Sequence, residues 1–97
     1  MEELLQRAIA ERQILHLIYG TKSFTVEPHM LSRTTTGGCI LSAYQAGGFG
    51  VASNDRGWKL FDLQHITHAE MVARHFSGSR PGYDPNGTMF TCIIAHV

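Results

Sequence analysis

The sequence is poor in charge. Only 16% of its 97 residues are Asp, Glu, Lys or Arg, against about 25% in an average soluble domain. Its eight bases and eight acids cancel. That excludes the strong single-sign field that steers proteins onto nucleic acid or anionic membrane, although a local basic patch is compatible with it. Cysteine is as scarce: Cys39 and Cys92 stand far apart, each in an apolar run. Two thiols build neither a disulfide framework nor a zinc ribbon, and they read as reduced, buried side chains of a cytoplasmic protein. No run approaches the roughly 18 apolar residues of a membrane span. The opening MEELLQRAIAERQ lacks the basic and apolar regions of a signal peptide. Neither a P-loop nor G-x-G-x-x-G occurs, and no βαβ alternation is visible.

What is present is enough for one modest core. With 43% hydrophobic residues in 97, one domain is affordable and a second is not. Leu4, Leu5, Ala8, Ile9 and Arg12 share the spacing of one helical face, predicting a helix over about 2–12. Strands follow at 14–19 (ILHLIY) and 24–31 (FTVEPHML). Pro28 cannot donate to a ladder, so the second strand ends, bulges or lies at an edge there. Further strands are expected at 39–46 (CILSAYQA), 58–63 (WKLFDL) and 89–97 (MFTCIIAHV); 66–73 reads as a strand or a short helix, with Thr67 and Val72 favouring the strand and HAEMVA the helix. Along WKLFDL, Trp58, Leu60 and Asp62 fall on one face, and Lys59, Phe61 and Leu63 on the other. SRTTTGG, GGFG, SNDRG and SGSRPGYDPNG are turn or loop compositions, Tyr83 being a candidate anchor for the last. One helix and five or six short strands predict a mainly β protein, a small β-barrel with the helix across an open end or face.

Three groups of residues bear on function. Arg33, Arg56, Lys59, Arg74 and Arg80 lie in or beside loops, with Tyr44, Phe49, Trp58 and Tyr83 interleaved. Guanidinium groups grip phosphates and aromatic rings stack on bases, a combination small barrels use for single strands. The plain alternative makes Tyr44 and Phe61 core residues and the arginines solvated surface. His65, His68, Glu70 and His75 have the chemistry of metal ligands but no shared strand face, and no metal or cofactor is assigned. Cys39, His29 and Asp62 offer the groups of nucleophilic catalysis without an elbow or oxyanion signature, so Cys39 reads as packing and no enzymatic activity is assigned.

The order of motifs resembles the WYL domain, an SH3-like (Sm-like) barrel of bacterial regulators. Ala8-Ile9-Ala10-Glu11-Arg12 leads into a strand ending at Tyr19, and Val26-Glu27-Pro28 is followed by Leu31. Cys39-Ile40-Leu41 with Ala43-Tyr44 occupies the name-giving position, and Lys59-Leu60-Phe61-Asp62-Leu63-Gln64-His65-Ile66 matches the strand after it. The likeness spans about Ala8 to Ile66. It departs from the family where Cys39 and Ile40 replace Trp and Tyr, and where Asp62 replaces a base. The DNA-binding winged helix that usually accompanies the domain is not among these residues. The resemblance implies an SH3-like barrel recognising nucleic acid or a nucleotide-like effector, without catalysis. The contacts expected on that basis are Arg33, Tyr44, Arg56, Trp58, Lys59 and His65. The rival expectation is a protein-interaction subunit: low net charge favours association, and the apolar last strand either closes the barrel or pairs with a second copy as a homodimer.

Overall fold

The computed structural model describes residues 1–45, 57–82 and 92–97. Helix α1 (Glu2–Glu11) carries Glu2 and Glu3 in its first turn, where they complement the helix dipole. It ends on Arg12 in the left-handed region (φ 54°), whose N–H returns to the carbonyls of Ala8 and Ile9. Leu5, Ala8 and Ile9 are its buried residues. Among the described residues six strands follow: β1 (Gln13–Tyr19), β2 (Lys22–Arg33), β3 (Cys39–Gln45), β4 (Gly57–Asp62), β5 (Ile66–His75) and β6 (Cys92–His96). A single 3-10 turn, Leu63–His65, separates β4 from β5, with the Asp62 carboxylate accepting from Gln64 N–H at 3.0 Å.

All pairings are antiparallel, in the order β4-β3-β2-β1-β5, and β6 also pairs with β2. Tyr19 pairs with Lys22 across a two-residue hairpin loop, and Gly20 there has φ +63°, the conformation such a loop requires. The twelve-residue β2 is the shared strand. Its first half pairs with β1, and its second half lies between β3 and β6. Between Pro28 and Met30 the register shifts by one residue, so His29 is the extra residue of a bulge. The bulge reverses the alternation: Val26 and Leu31 both reach the core, although five positions apart. A bend in the shared strand lets the two halves of the sheet wrap one core, the arrangement a small barrel needs.

That core joins Leu5, Ala8 and Ile9 of the helix to Leu15 and Leu17 of β1, Leu41 of β3 and Phe61 of β4. Phe61 meets Tyr19 and Phe24 edge-on, with centroids 5.1 and 5.3 Å apart. Each buried leucine contributes about 1.5–3 kcal/mol relative to exposure.

The expected class, mainly β with one N-terminal helix, is the class observed, with six strands. The uncertain segment after Leu63 is a strand, as expected, and runs to His75. The helix stops one residue before the expected end because Arg12 adopts the left-handed cap. The β4 strand ends at Asp62 rather than Leu63, where the 3-10 turn begins. The expectations for GGFG, SNDRG, Arg56 and Tyr83, and for residues 89–91 of the last strand, lie outside the described residues. Cys39 and Cys92 are both paired with Arg33, one on each side of β2. Among the described residues no helix is long and apolar enough to cross a membrane.

Leu41 is fully buried, so Leu41→Ala should destabilise the protein by about 2–5 kcal/mol. Urea denaturation with an unchanged m-value would show it, and a loss below about 1 kcal/mol would contradict the core described here.

Candidate functional site

The bulge and the strand register assemble an aromatic, arginine-centred cluster on the outer face of the sheet. Glu27 pairs with Tyr44, and Tyr44 with Trp58, so these three side chains form a row across β2, β3 and β4. Tyr44 and Trp58 meet edge-on with centroids 5.5 Å apart. After β5 the chain returns across this row as a strap, residues 76–82. It starts at Phe76, whose N–H donates to the Arg12 carbonyl at 2.9 Å.

Four contacts fasten the strap. The Arg80 guanidinium makes a two-pronged ion pair with Glu27, at 2.7 and 2.8 Å, the fork geometry that gives the strongest charge-assisted hydrogen bonds. Its carbon lies 5.0 Å from the centroid of the Tyr44 ring, a cation–π contact. The backbone N–H of Arg80 donates to Nε2 of His29 at 3.1 Å. Trp58 Nε1 donates to the Pro81 carbonyl at 2.9 Å. Gly82 follows with φ +88°, and a Cβ there would stand 3.0 Å from Trp58 Nε1. Any other residue would therefore be strained in backbone and crowded against the indole.

His29 is the hub of the cluster. It is 0% exposed, stacks on Phe76 at 5.2 Å and 20°, and meets Trp58 edge-on at 4.8 Å. Its Nδ1 lies 2.8 Å from the Glu27 carbonyl. Because Nε2 accepts from Arg80, Nδ1 carries the proton of the neutral ring and donates to that carbonyl. Burial holds the pKa of His29 below its usual 6.5; the Arg80 charge acts the same way, while the Glu27 carbonyl, its carboxylate and the Gly78 backbone oppose it.

Of the residues expected to form a binding surface, Tyr44 and Trp58 are brought together. Lys59 pairs with Ala43 and alternates to the opposite side of β4 from Trp58, so it does not join them. Arg33 lies at the far end of β2, 3.5 Å from Glu2 of the helix. His65 sits on the 3-10 turn, exposed, with its ring against Tyr19. Arg56 and Phe49 are outside the described residues. Glu27, Phe76 and the hub role of His29 were not foreseen. Fifty-three positions separate Glu27 from Arg80, and no local spacing rule couples them. A carboxylate in an otherwise low-charge strand, beside a proline bulge, was the available signal.

The other candidate groups are dispersed. Cys39 Sγ donates to Glu2 at 2.7 Å, and burial, followed by that carboxylate, raises its pKa, which disfavours the reactive thiolate. His68 stands 3.9 Å from Glu70 on β5. Among the described residues no group of three or more His, Cys, Asp or Glu side chains has the arrangement to hold a metal ion.

The ion pair is half inside the protein: Glu27 keeps 8% of its side-chain exposure and Arg80 keeps 41%. Losing the exposed partner strands a buried carboxylate. Arg80→Met should therefore cost about 1–3 kcal/mol, and adding Glu27→Gln to it should recover part of that loss. A double-mutant cycle by chemical denaturation tests this; a coupling near zero would mean that the pair is effectively solvated.

The chain matches no protein-family model, no curated protein and no solved structure.

Proposed function

We propose that the chain is a non-enzymatic binding module of WYL type, recognising nucleic acid or a nucleotide-like effector at the Tyr44–Trp58–Arg80 surface. The observation supporting this is the juxtaposition of a guanidinium, 41% exposed in its side chain, with two aromatic rings, one of them Trp58 at 36% exposure. A base stacks on the indole or phenol, and the guanidinium offers its remaining donors to a phosphate. Glu27 compensates part of the Arg80 charge, so contact-range stacking contributes more than long-range attraction. This fits a chain whose bases and acids cancel. The setting is a cytoplasmic regulator, in keeping with the motif order from Ala8 to Ile66.

A second reading, a protein-interaction or self-association role, rests on a different observation. Leu60 is 53% exposed, Ile93 is 38% exposed and Trp58 is 36% exposed. The registers place all three on the outer face. The last strand itself pairs with β2 through Cys92–His96, so in this reading the outer face, rather than the strand's backbone, carries the contact.

Anisotropy of a labelled single-stranded oligonucleotide at low salt separates the two. Trp58→Ala and Arg80→Ala should each weaken binding by about tenfold, as a lost stacking or charge contact of 1–3 kcal/mol implies. Lys59→Ala, on the opposite side of β4, should change it by less than about twofold. No binding by the native protein at low salt would sink the nucleic-acid reading. A concentration-dependent dimer in sedimentation that Leu60→Lys abolishes would favour the second.

A further inference from the structure

His29 is buried in the middle of the fastening, and its neutral form is built into the geometry. Nδ1–H faces the Glu27 carbonyl and the Nε2 lone pair faces the Arg80 N–H. A proton added at Nε2 takes that lone pair away and leaves two donors opposed. We propose that residues 76–82 form a proton-operated strap: protonation of His29 at Nε2 releases the Arg80 backbone, and the strap lifts from the row Glu27–Tyr44–Trp58.

Every element around the ring bears on its charge. On β2, the Glu27 carboxylate and carbonyl favour the imidazolium, and so does the Gly78 backbone on the strap. On the strap, the Arg80 guanidinium opposes it. Tyr44 of β3 and Trp58 of β4 supply no fixed charge. On β6, exposed His96 pairs with Met30, and the Val97 N–H donates to the His29 carbonyl. On β5, exposed His75 precedes Phe76, which stacks on the ring. Lifting the strap admits water to the ring, which removes the burial penalty that dominates this balance.

The direction follows from linkage. The closed strap holds His29 below its usual value of 6.5, and the open strap restores that value. The open form therefore binds more protons below 6.5, so the closed form is favoured above that pH and loses ground as the pH falls through the lowered value. One proton is involved, so the closed-to-open ratio falls by at most about tenfold per pH unit. The inference does not rest on the binding reading, because opening is read on the protein alone.

The experiment is amide hydrogen exchange by NMR on the full chain between about pH 7.5 and 5, each rate divided by its intrinsic value at that pH. Protection of the Arg80 amide should fall by up to about tenfold per unit below 6.5, while the Leu31 and Leu41 amides keep theirs. In His29→Gln, whose side-chain carbonyl accepts from Arg80 but does not titrate, Arg80 protection should be flat. A constant Arg80 protection in the native chain, or an equal fall in His29→Gln, overturns the proposal. Should that variant not fold, the native His29 ring titration decides. Its midpoint must coincide with the loss of Arg80 protection, and titration without that loss overturns the proposal equally.

Discussion

The structure depends on one constraint in β2: a single strand must serve both halves of the sheet, and it can do so only by turning. Pro28 lacks the N–H that an unbroken ladder needs, and the register with β3 shifts between Pro28 and Met30, at His29. The consequence for packing is immediate. Val26 and Leu31 differ by an odd number of positions, and a regular strand would send them to opposite faces. With the bulge both are buried, at 1% and 0% exposure, and the helix has one continuous apolar surface on which to lie. The consequence for the outer face is equally direct. The extra residue turns its ring into the crossing of β2, β4 and the strap, and its carbonyl receives the backbone of Val97.

A strap fastened in this way is held by unlike forces. The ion pair is charge-assisted but partly wet, and such pairs are worth less than their geometry suggests. The bond to Nε2 is buried and neutral, and depends on one tautomer. The indole contact depends on the close approach allowed by Gly82. No contact substitutes for another. Loss of the His29 acceptor leaves the Arg80 side chain gripped while its backbone is unsatisfied, and an unsatisfied buried donor costs about 1–3 kcal/mol. The strap is therefore a local unit whose opening need not disturb the leucine core on the other face of the sheet.

How much of this was legible in the sequence follows from which signals are local. Helix periodicity and strand alternation are encoded within a few residues, and the elements they predict are present among the described residues. The proline signal was legible as a choice among three outcomes, of which the bulge is the one adopted. Its effect on parity was not, because alternation read through Pro28 assigns Met30 to the face that Leu31 takes. The alternation of WKLFDL was also legible, and it separates Lys59 from Trp58. Grouping the two as joint contacts followed from their adjacency in the chain, which in a strand means opposite faces. The Glu27–His29–Arg80 constellation was not legible. It joins a strand near the start of the sheet to a strap after β5, through a topology that sequence spacing does not contain.

The scarcity of charge acquires a physical meaning once these contacts are placed. Arg7 is paired with Glu11, Arg33 with Glu2 and Arg80 with Glu27, so several of the few fixed cations are already offset by acids close to them. A surface of this kind has little field beyond a Debye length, and anything it recognises must be recognised by shape, stacking and directed hydrogen bonds. Six histidines stand beside eight permanent bases, so the latent positive charge is nearly as large as the fixed charge. Most of those rings belong to exposed residues. His29 is the exception among the described residues, because its ring is buried and its lone pair is committed to the Arg80 backbone. In a protein whose permanent charges cancel, the proton that changes structure is the one that must be placed where water is absent.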